Sequence, residues 1–319
     1  MELTFLQIIS VVLISLQGLE YFDQKVLAYT IEKDGIKMKI KYSSKITAVI
    51  LILSLAFLTS SCSYDTSSSK NRAKIESFSQ QILQQAGKNI SLSIEKINTY
   101  FMDITLSQTV QEGLNTIISD KDAFETLVAS KQISDMLTNE FITCPNIVYA
   151  EIVCDNGNFK YSITENLQEK DIHNKILKDA KSKKGSISWT PMVVNNTNLI
   201  IVSKEIYDIS SGESLGTFIL ELKESYFSDI YKSIDYGIDS SIFIIDSNGI
   251  VVSTTDDELE IAKNYKEKLL TDKIIDAKSP NNQNVFSVKI NEIDEFVVYS
   301  YIPSTNWYIV GVVSIESMF

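Results

Sequence analysis

The sequence predicts an α+β chain: a long N-terminal amphipathic helix supports two lobes with antiparallel sheets, joined by a short helix and preceded by an N-terminal transmembrane helix. Three observations carry this reading. Residues Lys70 to Leu114 contain no proline and place Ile75, Phe78, Ile82, Ala86, Ile90, Ile94, Ile97, Phe101 and Ile104 at steps of three and four, which is one helical face. Asn156-Gly157 and Asn248-Gly249 each stand between runs rich in β-branched and aromatic residues, a hairpin signal because such turns demand positive φ. The run ITAVILILSLAFLTSS, Ile46 to Ser61, carries no charge.

In chain order, Thr4 to Leu16 is apolar but short for a span. Met38 opens a basic stretch followed by an apolar run, the pattern of a translation start, so residues 1–37 read as an over-extended start. If translated, they form an amphipathic anchor or a second, poorly formed span. Residues 46–63 then cross the membrane. Lys37, Lys39, Lys41 and Lys45 make residues 1–45 the cytoplasmic flank and put the chain after Tyr64 outside. Two alternatives stay open for this run. Leu58-Thr59-Ser60-Ser61-Cys62 distantly resembles a lipoprotein cleavage site with Cys62 as the lipidated residue, and a buried core helix is the plainer choice.

The long helix spans residues 70–114. The first lobe runs from about 120 to 222, with strands at 146–153, 158–163, 186–189, 198–208 and 214–222. A helix at Glu224 to Ile234 leads into the second lobe, which ends near 316. That lobe holds the hairpin 241–253, a helix at Asp257 to Leu270, and strands at 285–291, 295–303 and 307–314.

With 319 residues, 44% of them apolar, the chain can bury one or two cores. A net charge of −12 excludes nucleic acid, whose phosphates need a basic surface. Arg72 is the only arginine, so an anionic ligand would have to be held by lysines, backbone amides or hydroxyls. No catalytic or metal constellation emerges. The single histidine, His173, lies in a polar stretch and reads as an exposed helix residue, since one imidazole without spaced partners builds neither a metal site nor a triad. Asp256, Asp257, Glu258 and Glu260 lack the spaced loop of a calcium site and read as a solvated face. Cys144 and Cys154 flank a strand, and a disulfide between them would require the chain to fold back. No cofactor is expected, and the chain reads as something other than an enzyme.

Ser211-Gly212-Glu213-Ser214-Leu215-Gly216 stands where double Cache (dCache) domains have a turn and the strand "lGvlil". Phe243-Ile244-Ile245-Asp246-Ser247-Asn248-Gly249-Ile250-Val251 matches their "ifIiDsnGiii", and Tyr299 to Val310 looks like their last hairpin. The chain therefore resembles, over Ile46 to Phe319, the extracytoplasmic ligand sensors of bacterial histidine kinases and chemoreceptors. The resemblance implies two PAS-like lobes, with a small molecule held on the concave face of the membrane-distal sheet.

It also implies contacts. Trp189 lies where these domains often carry a pocket tryptophan, and Glu221 occupies the place of an acidic residue that commonly holds a ligand amine. The plainer alternatives are that Trp189 is core and that Glu221, closing an edge, is solvated. The arginine that precedes the tryptophan in amino-acid-binding members is replaced by Ile187, which favours sugars, other neutral molecules or a peptide. Tyr149, Tyr161 and Tyr207 are further candidate hydroxyl or stacking contacts. Tyr64, Ser67 and Ser68, followed by the long helix, resemble the sensory region of YesM-type histidine kinases. Those kinases continue into a second span, a HAMP linker and a kinase core, whereas this sequence stops at Phe319, so the expectation is a sensor region without its output module. The implied partners are a small extracellular ligand or a solute-binding protein, the membrane, and a second copy or a partner kinase. A lipid-anchored solute-binding protein and the sensory part of a chemoreceptor are the alternatives.

Overall fold

The computed structural model describes the backbone of residues 27–33, 36–42, 44–119, 122–163, 170–234, 240–276, 284–290 and 292–315, with side chains from residue 74 onward. Two compact units result, Met1–Ile75 and Glu76–Phe319. The first contains an antiparallel hairpin of β1 (Leu27–Lys33) and β2 (Ile36–Tyr42), in which Met38 faces Ile31. The apolar stretch Thr4 to Leu16 lies outside the described residues. Helix α1 covers Ser44–Thr105. The expected span Ile46 to Ser61 falls on its backbone, and the side chains there are outside the described residues. Among the described residues, no helix is long and apolar enough to cross a membrane.

In the second unit, α1 buries Ala86, Ile90, Ile94, Ile97, Phe101 and Ile104 of the expected stripe together with Leu83, whereas Phe78, expected on the same face, is exposed and Ile75 and Ile82 are half-buried. At roughly 1.5–3 kcal/mol for each large side chain, this face is what holds the helix to the lobes. The helix does not continue to Leu114 as expected. It stops at Thr105, and α2 (Gln108–Ser119) begins after a break. Ser107 supplies the reason, because its Oγ accepts the Val110 amide at 3.2 Å and caps a new helix. Helix α3 (Ala123–Phe141) returns alongside α2, with Asp122 Oδ1 accepting the Phe124 and Glu125 amides at 2.7 and 3.0 Å.

The distal sheet contains β3 (Ile147–Cys154), β4 (Gly157–Ser162), β5 (Ser188–Val194), β6 (Thr197–Tyr207) and β7 (Ser214–Lys223), in the spatial order β4-β3-β7-β6-β5. Helix α4 (Lys170–Ser182) intervenes between β4 and β5, and α5 (Ser225–Tyr231) follows β7 directly. The proximal sheet contains β8 (Ser240–Ile245), β9 (Val251–Thr254), β10 (Val285–Ile290), β11 (Ile293–Ile302) and β12 (Trp307–Ser314), in the order β10-β11-β12-β8-β9, with α6 (Lys268–Asp276) between β9 and β10. Numbered within its own lobe, each sheet has the same strand order, 2-1-5-4-3, with a helix between strands 2 and 3. All pairings are antiparallel.

Both Asn-Gly hairpins form, but not through the turn their sequence suggested. Neither Asn156 nor Gly157 takes a positive φ, and of the second pair only Gly249 does, at 78°. Asp246 is responsible there: its Oδ1 accepts the amides of Asn248 and Ile250, both at 2.8 Å, and this closes a longer turn with one residue in the left-handed region. Gly216, the glycine of the "lGvlil" strand, has φ 156°, and a Cβ there would run into the Val153 carbonyl oxygen of β3. The helix expected at Asp257 to Leu270 is a second departure. That stretch instead pairs with β9, with Val251 N–H to Lys263 O at 2.8 Å and Ala262 N–H to Val251 O at 2.9 Å, and only then does α6 begin. Satisfying the open edge of a short strand outweighs the local helical pattern.

Candidate functional site

Each sheet has two faces. In the distal lobe the cross-strand row Trp189, Val202, Leu220, Ala150, Tyr161 points toward α1, and the next row, Thr190, Ile201, Glu221, Tyr149, Ser162, points the other way, because side chains alternate along a strand. The five residues expected to touch a ligand are thereby divided. Glu221 and Tyr149 are direct cross-strand neighbours on β7 and β3. Trp189 and Tyr161 lie on the opposite face. Tyr207 lies beyond a bulge at the end of β6, and its hydroxyl donates to Glu205.

The face holding Tyr149 and Glu221 is covered by α4, whose Ile172, Ile176 and Leu177 pack with Val148, Tyr149, Leu199, Ile201 and Ile219. Glu221 is not a solvated edge residue. It sits on the central strand and is 1% exposed, and Glu151, two residues from Tyr149 on the same face, is 3% exposed. His173 is not a free surface residue either. It reaches down from α4 and places Nε2 2.7 Å from Glu151 Oε2. The sequence reading missed both Glu151 and the role of His173. Only their joint placement shows it, although the alternation of Glu151 with Ala150 and Ile152 on a strand is a signal that was present. Burial pushes the Tyr149 phenol pKa up, and the charge of Glu151, a hydrogen bond to it and the charge of Glu221 push in the same direction. Tyr149 therefore stays protonated beside two carboxylates. For Tyr207, the bond to Glu205 is the largest cause of a raised pKa, and Glu205 also accepts from Ser214 Oγ at 2.7 Å.

The remaining two candidates, Tyr161 and Trp189, pack against other rings. Tyr161 is buried, with its ring 6.2 Å from that of Phe141. Trp189 packs edge-on against Trp307 of the proximal sheet and Phe227 of α5. A surface cleft of about 400 Å³, including its solvent-open part, lies between Lys96, Tyr100, Cys144 and Tyr226 and contains none of the five. Cys144 and Cys154 are both free thiols. Among the described residues, no group of His, Cys, Asp and Glu could hold a metal ion.

The matching face of the proximal lobe is chemically different. Phe243, Ile245, Val297, Tyr299, Tyr308 and Val310 form an aliphatic and aromatic layer under Leu270 and Ile274 of α6. Of two lobes with one topology, one keeps this face mainly apolar, with the half-buried Glu295 at its margin, and the other buries Glu151 and Glu221 almost completely in it. Such a pair on a supporting helix is the architecture of a two-lobed sensor domain. The family comparison agrees: the Cache domain family in its double form, dCache_1, matches residues 68–319, and the chain belongs to that family. Its members are extracytoplasmic ligand-sensing domains of chemoreceptors and histidine kinases.

No curated protein matches the sequence. Solved structures do. The ligand-binding domain of Mlp24 with asparagine is 17% identical, with a TM-score of 0.54 over 77% of this chain and 96% of its own. The ligand-binding domain of the Pseudomonas fluorescens chemoreceptor CtaA with L-isoleucine is 15% identical, with a TM-score of 0.52 over 78% and 95%. That of the Pseudomonas aeruginosa amino acid chemoreceptor PctC with GABA is 16% identical, with a TM-score of 0.51 over 75% and 99%. At these identities the likeness is one of fold.

Proposed function

We infer that the distal lobe receives a small extracellular molecule against Tyr149 and Glu221, beneath α4, and that the chain is the sensory region of a membrane-anchored signalling protein of the sensor histidine kinase type. The observation that carries this is the contrast between the two lobes. Burying ionisable groups costs stability, and the proximal lobe, with only the half-buried Glu295 at the margin of its matching face, shows that the topology does not need two fully buried carboxylates. The ligand is one that presents hydrogen-bond donors, an amine or a polyol. The chain's one arginine, Arg72, precedes the lobes in sequence, so a free α-carboxylate at this face lacks a guanidinium partner. Residues 46–63 anchor the region, and its output passes along α1, through a second copy or a partner kinase. Phe78 and Leu92, 64% and 56% exposed on α1, provide apolar surface for such a pairing.

Thermal unfolding of the protein with asparagine, L-isoleucine, GABA, putrescine and glucose tests the site. A ligand specific to the folded state stabilises it by about 2.7 kcal/mol at a hundredfold excess over Kd. Putrescine or glucose should raise the melting temperature more than the two α-amino acids do, and Glu221→Gln or Tyr149→Phe should abolish that rise. A stabilising ligand that binds both variants normally would place the site elsewhere.

A further inference from the structure

The chain contains two tryptophans, and the fold sets one against the other. Trp189 comes from edge strand β5 of the distal sheet, and Trp307 opens β12, the central strand of the proximal sheet. Their rings lie 5.5 Å apart at 81°. Phe227 of α5 stands edge-on to both, at 6.2 Å from Trp189 and 5.5 Å from Trp307, and both Phe227 and Trp307 are buried.

A polar chain crosses the same junction. Ser253 on β9 donates its hydroxyl hydrogen to Glu224 Oε1, so the 2.6 Å bond between Tyr231 and Ser253 has the tyrosine as donor, since a serine has only one hydroxyl hydrogen. Glu224 also accepts the Thr254 amide at 3.1 Å and the Ser228 hydroxyl at 3.2 Å. Ser253 and Tyr231 are fully buried. The root of α5 is tied the other way, into the distal sheet: Lys223 N–H donates to Asn146 O at 2.9 Å and Glu224 N–H to Asn198 O at 3.0 Å. Glu224 follows Glu221 by three residues with no intervening loop.

We propose that α5 is the element that transmits a change at the distal site to the proximal lobe, and that Trp189 belongs to this junction instead of to the ligand pocket. A shift of β7 at Glu221 turns α5, and the turn reaches β9 through Ser253 and β12 through Trp307. Two packed layers on one seven-residue helix, one of rings and one of hydroxyls on a carboxylate, resist continuous deformation and so pass on a displacement instead of absorbing it. The role of α5 rests on the ligand site at Tyr149 and Glu221, but its test needs no ligand.

Full-length protein in nanodiscs, labelled with 5-fluorotryptophan, gives two 19F resonances, assigned with Trp189→Phe and Trp307→Phe. Glu221→Gln perturbs the distal face without changing its shape, and it should move the Trp307 resonance as well as that of Trp189. Combined with Ser253→Ala, the Trp307 shift should shrink while the Trp189 shift persists. A Trp307 resonance indifferent to Glu221→Gln, or a shift of the same size with and without the Ser253 hydroxyl, overturns the proposal. If circular dichroism shows that Glu221→Gln does not fold, Tyr149→Phe takes its place and is read in the same way. Failure here leaves the thermal-shift result standing, and failure of every ligand probe leaves the 19F result standing, so the two readings fail separately.

Discussion

Glu224 shows how burial decides the behaviour of a single side chain. Desolvation raises its pKa, and the hydrogen bonds from Ser253, Thr254 and Ser228 oppose the rise without cancelling it. The folded protein therefore holds this proton more tightly than the unfolded chain does. Its contribution to stability is full below the ordinary glutamate value of 4.5 and is lost as pH rises through the elevated folded value. Glu224→Gln should remove this dependence. Urea midpoints measured from about pH 4 to about pH 7 should show wild type losing ground to the variant as pH rises, and parallel curves would show that the carboxylate is not the source. The sequence offered Glu224 only as the first residue of a helix. Its environment is made by β9, which follows it by nearly thirty residues, and no local pattern could show that.

At the scale of elements, capping decided what periodicity could not. The stripe from Ala86 to Ile104 was legible because spacing alone places it on one face, but Phe78 from the same spacing is exposed, and the end of α1 depends on which hydrogen bond Ser107 makes. Asp122 acts in the same way at α3, where one carboxylate oxygen takes two amides. Asp122→Ala should cost about 1 kcal/mol, within the usual range of about 0.5–2 for a lost cap, and Asp122→Asn should keep most of it. Chemical denaturation measures both, and equal losses would mean that the cap is not the cause. The hairpin at Asp246 to Gly249 teaches a related lesson. The residues that announce a hairpin were visible, but the turn was set by an aspartate side chain competing for backbone amides.

At the scale of the molecule, the charge asymmetry around the apolar run sets the expected topology in the membrane. With lysines flanking Ile46 to Ser61 on one side, protease applied to intact cells should cleave within residues 65–319, and Cys62→Ala should leave the protein in the membrane fraction. Protection of the whole region would refute the extracytoplasmic placement, and release of the Cys62→Ala protein would favour a lipid anchor. The repeated 2-1-5-4-3 order of the two sheets belongs to this scale as well. The family resemblance implied two lobes of one kind, but the residue patterns do not repeat, because the two lobes share strand order and not side chains.

The sequence by itself determined the class of architecture, the helical stripe, the two-lobe division and the family, since all of these are written in residues close together in the chain: a period, a turn, a motif. Only the tertiary structure decided which of the candidate residues stand together. Strand alternation and register put Glu221 beside Tyr149, carried Trp189 and Tyr161 to the other face, and brought His173 onto Glu151 from a different element. A side chain's face depends on the register of every strand between it and its neighbours, and a slip of one residue would reverse it. That quantity is set by the packed sheet as a whole.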